Sequence, residues 1–132
     1  MTTNAKAIVE AAIAALNAGD GEAFMATLAD DIAWQFFGSH RFAGTFTGKQ
    51  ALGEGLFAVV DATMIDGLKV EVRKIIADGD CVVVEAKGDA RSKAGLDYNN
   101  DYCLVFEVTN GKISRAREYL DSELVTRVFG PA

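Results

Sequence analysis

The chain has 132 residues, half of them apolar and 24% charged, with one histidine, two cysteines and one proline. Nineteen acidic residues against 13 basic ones leave a net charge of −6, which argues against nucleic acid or an anionic membrane surface as a partner. One histidine and two cysteines leave a zinc site of the usual kind short of ligands, so no metal or cofactor is expected. Pro131 marks no interdomain linker, so one domain over 1–132 is expected.

The Ala-rich start is interrupted by Glu10 and preceded by a single side-chain cation, Lys6, which speaks against a signal peptide. No apolar run reaches the roughly 18 residues of a membrane span. A cytoplasmic protein is expected. Residues 4–17 carry Ile8, Ala12, Ala15 and Leu16 at helical spacing, with Gly19 placed to end the helix. Asp20 reads as the N-cap of a second helix over 20–28, with Phe24 and Leu28 one turn apart. Asp30 and Asp31 read as its break, and 32–37 as a strand. Gly38-Ser39-His40 is a loop, followed by an extended arm over 41–48. A third helix is predicted over 49–60, with Leu52, Leu56 and Val59 on one stripe. Gly53 and Gly55 weaken it, by about 1 kcal/mol each, but also permit close packing on a sheet.

The rest reads as strand. Residues 67–77 alternate Leu68, Val70 and Val72 against Lys69, Glu71 and Arg73. Asp78-Gly79-Asp80 is a turn, and 81–91 returns. A polar connection over 92–97 leads to 98–108, the Asn110-Gly111 hairpin turn and 112–120. Residues 121–129 suit a last helical turn or an arm. Cys81 and Cys103 lie within strands, which predicts two buried free thiols. Helices first and strands last give an α+β fold: a cone-shaped roll, its curved, mostly antiparallel sheet wrapped on three N-terminal helices around an apolar pocket.

Strand parity suggests the inner wall. Glu107 marks the solvent side of 98–108, which turns Tyr98, Asn100, Tyr102, Leu104, Phe106 and Val108 inward. Arg115 and Arg117 mark the outside of 112–120, which turns Ala116 and Glu118 inward. Val82, Val84, Ala86 and Gly88 form the inner set of 82–90. Glu118 then points into an apolar interior near Tyr102, Asn100 and Trp34, where burial lifts a carboxyl toward the range of a general acid or base. The alternative is a solvated Glu118 at the sheet mouth, or one paired with an arginine. His40 is a second catalytic candidate at the pocket mouth; the alternative is a solvated loop residue. Trp34 and Phe36 share a face suited to lining a ligand pocket or to plain packing. Asn100 and Tyr102 are placed to orient a ligand's carbonyl or hydroxyl, unless they form only a polar sheet end.

The segments 15–34 (ALNAGDGEAFMATLADDIAW), 43–52 (AGTFTGKQAL) and 98–121 (YNNDYCLVFEVTNGKISRAREYLD) resemble the nuclear transport factor 2-like superfamily, in its SnoaL-like and ketosteroid isomerase-related branch. The resemblance implies a cone with an apolar pocket at its open end, and a homodimer formed through the sheet's outer face, here Cys103, Val105 and Tyr119. Ketosteroid isomerase, a worked example of pKa tuning, uses a tyrosine, a protonated aspartate and a basic aspartate. Those places fall at Ala12, near Leu104 and near Gln35 or Phe36, so steroid isomerisation is not expected. Limonene epoxide hydrolase has a water-activating aspartate that matches Glu118, while its arginine and second aspartate fall near Ala86 and Gly88. SnoaL-like cyclases carry their base on the last strand, again at Glu118. Two functions stay open. One is an isomerase, cyclase or hydrolase acting on a small apolar oxygenated molecule. The other is a non-catalytic ligand-binding or dimerisation module.

Overall fold

Asn4 starts the first helix by accepting from the Ala7 N–H at 3.1 Å, which satisfies one of the free donors of the opening turn. The computed structural model describes residues 4–132. Helix α1 (Ala5–Asn17) buries Ala5, Val9 and Ala12, with Ile8, Ile13 and Leu16 packed beside them. Gly19 follows at a φ of +71°, the left-handed turn that glycine adopts without a Cβ penalty. Asp20 caps α2 (Gly21–Ala26) through the Ala23 N–H at 3.0 Å.

Strand β1 is longer than its predicted span. It runs Leu28–Phe36 and so includes Asp30 and Asp31. A register shift between Leu28 and Ala33 lets both acids stay on the surface of a strand whose other residues are buried or half-buried. The arm after it contributes β2 (Gly44–Thr47), paired antiparallel with β1. The third helix is also longer and is not uniform. It comprises α3 (Lys49–Leu52), a π-helical turn (Gly53–Phe57) and α4 (Ala58–Thr63). Its buried stripe is Leu52, Leu56 and Val60, with Val59 only half-buried. At Gly55 the Phe46 ring of β2 occupies the space of a side chain, the close packing that a helical glycine permits.

The remaining strands are β3 (Val70–Asp78), β4 (Cys81–Gly88), β5 (Asp101–Thr109) and β6 (Lys112–Tyr119). They pair antiparallel in succession. The full sheet runs β2-β1-β6-β5-β4-β3, and it is open, because β2 and β3 lie at its two edges. The β1–β6 pair is parallel, with Phe36 opposite Glu118. Two irregularities correct the strict alternation read from the sequence. One lies at Arg73 in β3, leaving Ile76 51% exposed. The other lies at Ser114 in β6, so that Ile113 is fully buried although parity groups it with Arg115 and Arg117. Such bulges also increase strand twist and bend the sheet. Asn110 and Gly111 both take positive φ, the two-residue turn whose twist suits a hairpin.

The C-terminal segment is a full helix, α5 (Ser122–Phe129). Asp121 caps it by accepting from Glu123 and Leu124 N–H groups, at 3.0 and 3.3 Å. Arg41 ties its far end down by donating to the Phe129 carbonyl at 2.8 Å. The helices and the inner sheet face enclose one apolar core, with Tyr119 exposed outside and stacked on Phe37 at 4.6 Å. Cys81 and Cys103 are free thiols but only half-buried, because both point to the outer face rather than the core. Among the described residues, no helix is long and apolar enough to cross a membrane.

Candidate functional site

Glu118 lies where three strands meet. Phe36 is its cross-strand neighbour on β1 and Leu104 its neighbour on β5. Neither offers a polar atom, so the sheet itself leaves the carboxyl without compensation. One hydrogen bond supplies some: the Trp34 indole Nε1–H donates to Glu118 Oε1 at 3.0 Å. Trp34 reaches it because the parallel pairing puts residue 34 opposite Ala116, one inward position before Glu118. Among the described residues Glu118 Oε2 has no hydrogen-bond partner, and the residue lines a cavity. Burial pushes the Glu118 carboxyl up to about 8, against the lowering pull of the Trp34 bond. At neutral pH the group is therefore mostly a neutral carboxylic acid, able to donate a proton inward. Above pH 8 it becomes a base.

The cavity encloses about 80 Å³ between the sheet, α1, the π turn and α5. That is room for on the order of five to eight water-sized spheres. Nine of the described lining residues are aromatic, and Glu118 is the one carboxylic acid among them. Trp34 sits between Phe24, with ring centroids 6.2 Å apart, and Phe106, at 5.8 Å and nearly perpendicular. Phe129 of α5 closes the far end against Phe42 and Tyr98, each at 5.0 Å. The Tyr98 and Tyr102 hydroxyls are the other polar groups on the wall. Burial lifts Tyr98 to about 12, and Tyr102 also stands well above the ordinary phenol value, chiefly by burial. Both stay protonated as hydrogen-bonding groups throughout the neutral range.

The cavity thus brings together four of the residues expected to form a site: Glu118, Trp34, Phe36 and Tyr102. It leaves out two. Asn100 is fully buried but faces away, with every donor and acceptor engaged. Its Nδ2 donates to Tyr98 Oη and the Asp121 carbonyl, both at 3.2 Å; its Oδ1 accepts from the Asp101 and Asp121 N–H groups at 2.7 and 2.9 Å. Asn100 therefore pins the starts of β5 and α5, and through Tyr98 holds one wall of the cavity. His40 is neither at the pocket mouth nor solvated. It is 2% exposed, its Nδ1 accepts from Phe42 N–H and its Nε2–H donates to the Phe37 carbonyl, both at 3.1 Å. With both nitrogens occupied by its own loop, His40 has no atom free for a ligand. Tyr98 and Phe129, like Phe24, Phe42, Phe57 and Phe106, line the cavity although the sequence did not single them out as ligand contacts. Tyr98 shares the parity of Tyr102, and Phe129 lies one helical turn from Val125, which is the signal that would have found it. Among the described residues no cluster of His, Cys, Asp and Glu suits a metal ion.

Residues 9–116 match the SnoaL-like domain. Among curated proteins none matches the chain in sequence. Solved structures do. An LEH-like epoxide hydrolase of M. tuberculosis is 27% identical, with a TM-score of 0.77 over 97% of this chain and 90% of its own. An NTF2-like protein of Burkholderia xenovorans is 26% identical, with a TM-score of 0.76 over 98% of both chains. A second NTF2-like protein, from Burkholderia thailandensis, is 23% identical with a TM-score of 0.84, over 99% of this chain and all of its own; at that identity it speaks for the fold alone.

Proposed function

The chain belongs to the SnoaL-like domain family, and from that premise we propose that its cavity binds a compact apolar molecule bearing an oxygen function, with Glu118 as the acid–base group. The observation that carries this reading is the carboxyl itself. An unpaired acid buried against aromatic walls costs stability, and nothing in the packing of Phe36, Leu104 and Trp34 around it uses its second oxygen. A ligand oxygen in the cavity would accept from that oxygen's proton, and a ligand C–H beside it would give up its proton to the ionised form. The Tyr98 and Tyr102 hydroxyls would orient the same ligand.

Proton transfer by one group supports isomerisation or ring closure better than hydrolysis. The LEH-like epoxide hydrolase is a relative at 27% identity, and the sequence resemblance to limonene epoxide hydrolase implies that Glu118 stands at the place of its water-activating aspartate. Yet no arginine and no second carboxylate are among the described residues lining this cavity, so a water molecule would have little to orient it.

Trp34 is the single tryptophan and touches the site, so its emission reports ligand entry. A panel of small cyclic enones, phenols and epoxides titrated against the protein is expected to shift that emission. In D₂O the protein is expected to exchange the protons next to the carbonyl of a bound enone. Glu118→Gln should abolish exchange while leaving affinity within a few-fold. Binding without exchange would instead establish a non-catalytic binding module. No emission change from any compound at millimolar concentration would overturn the reading.

A further inference from the structure

We propose that the same cavity accepts a small alkylammonium ion, of the size of trimethyl- or tetramethylammonium, seated between aromatic faces as the counter-ion of Glu118. The inference rests on the reading that the cavity is a ligand site, and adds the charge of the ligand.

Three observations point to a cation. The first is the wall. Trp34, Phe24, Phe57 and Phe106 meet at steep or tilted angles around the enclosed space, and a cation is attracted to the face of such rings. The second is the carboxyl without a basic neighbour. No Lys, Arg or His is among the described residues lining the cavity, so Glu118 has no cation of its own. The titratable groups facing it are Tyr98 and Tyr102, both held neutral by burial. An anionic ligand would meet a carboxyl and no positive partner.

The third is the surface beside the cavity. An outer recess of about 150 Å³ shares Leu16, Phe24, Phe57, Val60 and Leu68 with the cavity. Those five apolar side chains form a common wall. The recess rim carries Asp20, Asp61 and Asp66 and no basic residue among those described. Asp20 caps α2, and none of the three forms an ion pair with a described lysine or arginine. Acidic groups around a concave mouth concentrate cations and repel anions. The free volume suits an ion no larger than a few heavy atoms.

The two ligand classes have opposite pH signatures. A permanent cation pairs with the ionised carboxylate, so its binding strengthens by about tenfold per pH unit up to about 8 and then levels. An oxygenated neutral ligand accepts from the protonated acid, so its binding is level up to about pH 8 and weakens above it. Tetramethylammonium chloride is therefore titrated against the protein from pH 6 to pH 9, read by Trp34 emission with sodium chloride as control, beside 3,3-dimethyl-2-butanone as a neutral compound of similar bulk. The expected result is saturable ammonium binding that rises with pH and drops at least tenfold in Glu118→Gln. Phe24→Leu, which keeps the side chain apolar and removes a ring face, should weaken the ammonium several-fold more than the ketone. Ketone binding that falls above pH 8, with no ammonium binding, would overturn the cation and leave the proposed function standing. Silence from both ligands would overturn the cation, silence from the enone, phenol and epoxide panel as well would remove both readings, and ammonium binding unchanged in Glu118→Gln would overturn the ion pair.

Discussion

Replacing Glu118 by glutamine should change how stability responds to pH more than it changes stability at pH 5. Glutamine is nearly the shape of the protonated acid, keeps an oxygen for the Trp34 indole and does not titrate. The native carboxyl holds its proton up to about 8, whereas the ordinary value is 4.5. The native state is thus favoured at low pH, fully so below 4.5. That advantage is lost progressively as pH rises, until the buried group ionises near 8. Each pH unit in the interval removes about 1.4 kcal/mol, so the whole interval removes about 5 kcal/mol. This is a large share of a domain's stability of roughly 5–15 kcal/mol. Between pH 5 and pH 8 the variant should gain on the wild type by about 4 kcal/mol. Groups common to both proteins cancel in that difference. The assay is urea unfolding followed by Trp34 emission at each pH. A difference that stays flat within about 1 kcal/mol would show that water reaches the carboxyl freely, and would refute the burial argument.

Trp34→Phe keeps a ring on the cavity wall but removes the donor to Glu118 Oε1. The carboxyl should titrate higher still, followed by its ¹³C resonance, and the protein should lose about 1–3 kcal/mol in a thermal melt; an unchanged or lower midpoint would remove Trp34 from the site's electrostatics. The two helix glycines should respond in opposite directions. At Gly53 a methyl meets only Met25 Cε at 3.7 Å, so Gly53→Ala should stabilise by about 0.5–1 kcal/mol. At Gly55 it meets the Phe46 ring, so Gly55→Ala should cost about 1–3 kcal/mol. Differential scanning calorimetry separates them, and melting temperatures that shift together would contradict the packing described.

Much of the sheet was legible because its code is local. Arg115 and Arg117 facing outward oblige Glu118 to face inward, and Tyr102 follows from the opposite parity of Glu107. Bulges break that code without a sequence mark, which is why Ile113 is buried against expectation. His40 and Asn100 show a second limit. A polar side chain in a sequence carries no sign of whether the backbone will claim it. His40 closes its own loop, and Asn100 serves the peptide groups of residues 101 and 121. The longest-range feature was the least legible. The parallel join of β1 to β6 brings Trp34 to Glu118 across 84 residues, and no local periodicity encodes which strands become neighbours.

That join also sets how the carboxyl behaves. A carboxylate that accepts two or three N–H bonds stays ionised far below neutrality, where it is useless as a proton donor at pH 7. A carboxyl with no bond at all in an apolar wall imposes the full cost of an unsatisfied polar group. Glu118 stands between these limits: one indole bond to Oε1, apolar cross-strand neighbours, and Oε2 left to the cavity. Had β6 paired with a strand bearing serine or threonine at the place of Phe36, added donors would have pulled the group back toward its ordinary range. The apolar choice at Phe36 and Leu104 is therefore as much a part of the site as the acid, because it keeps the proton exchangeable near pH 8.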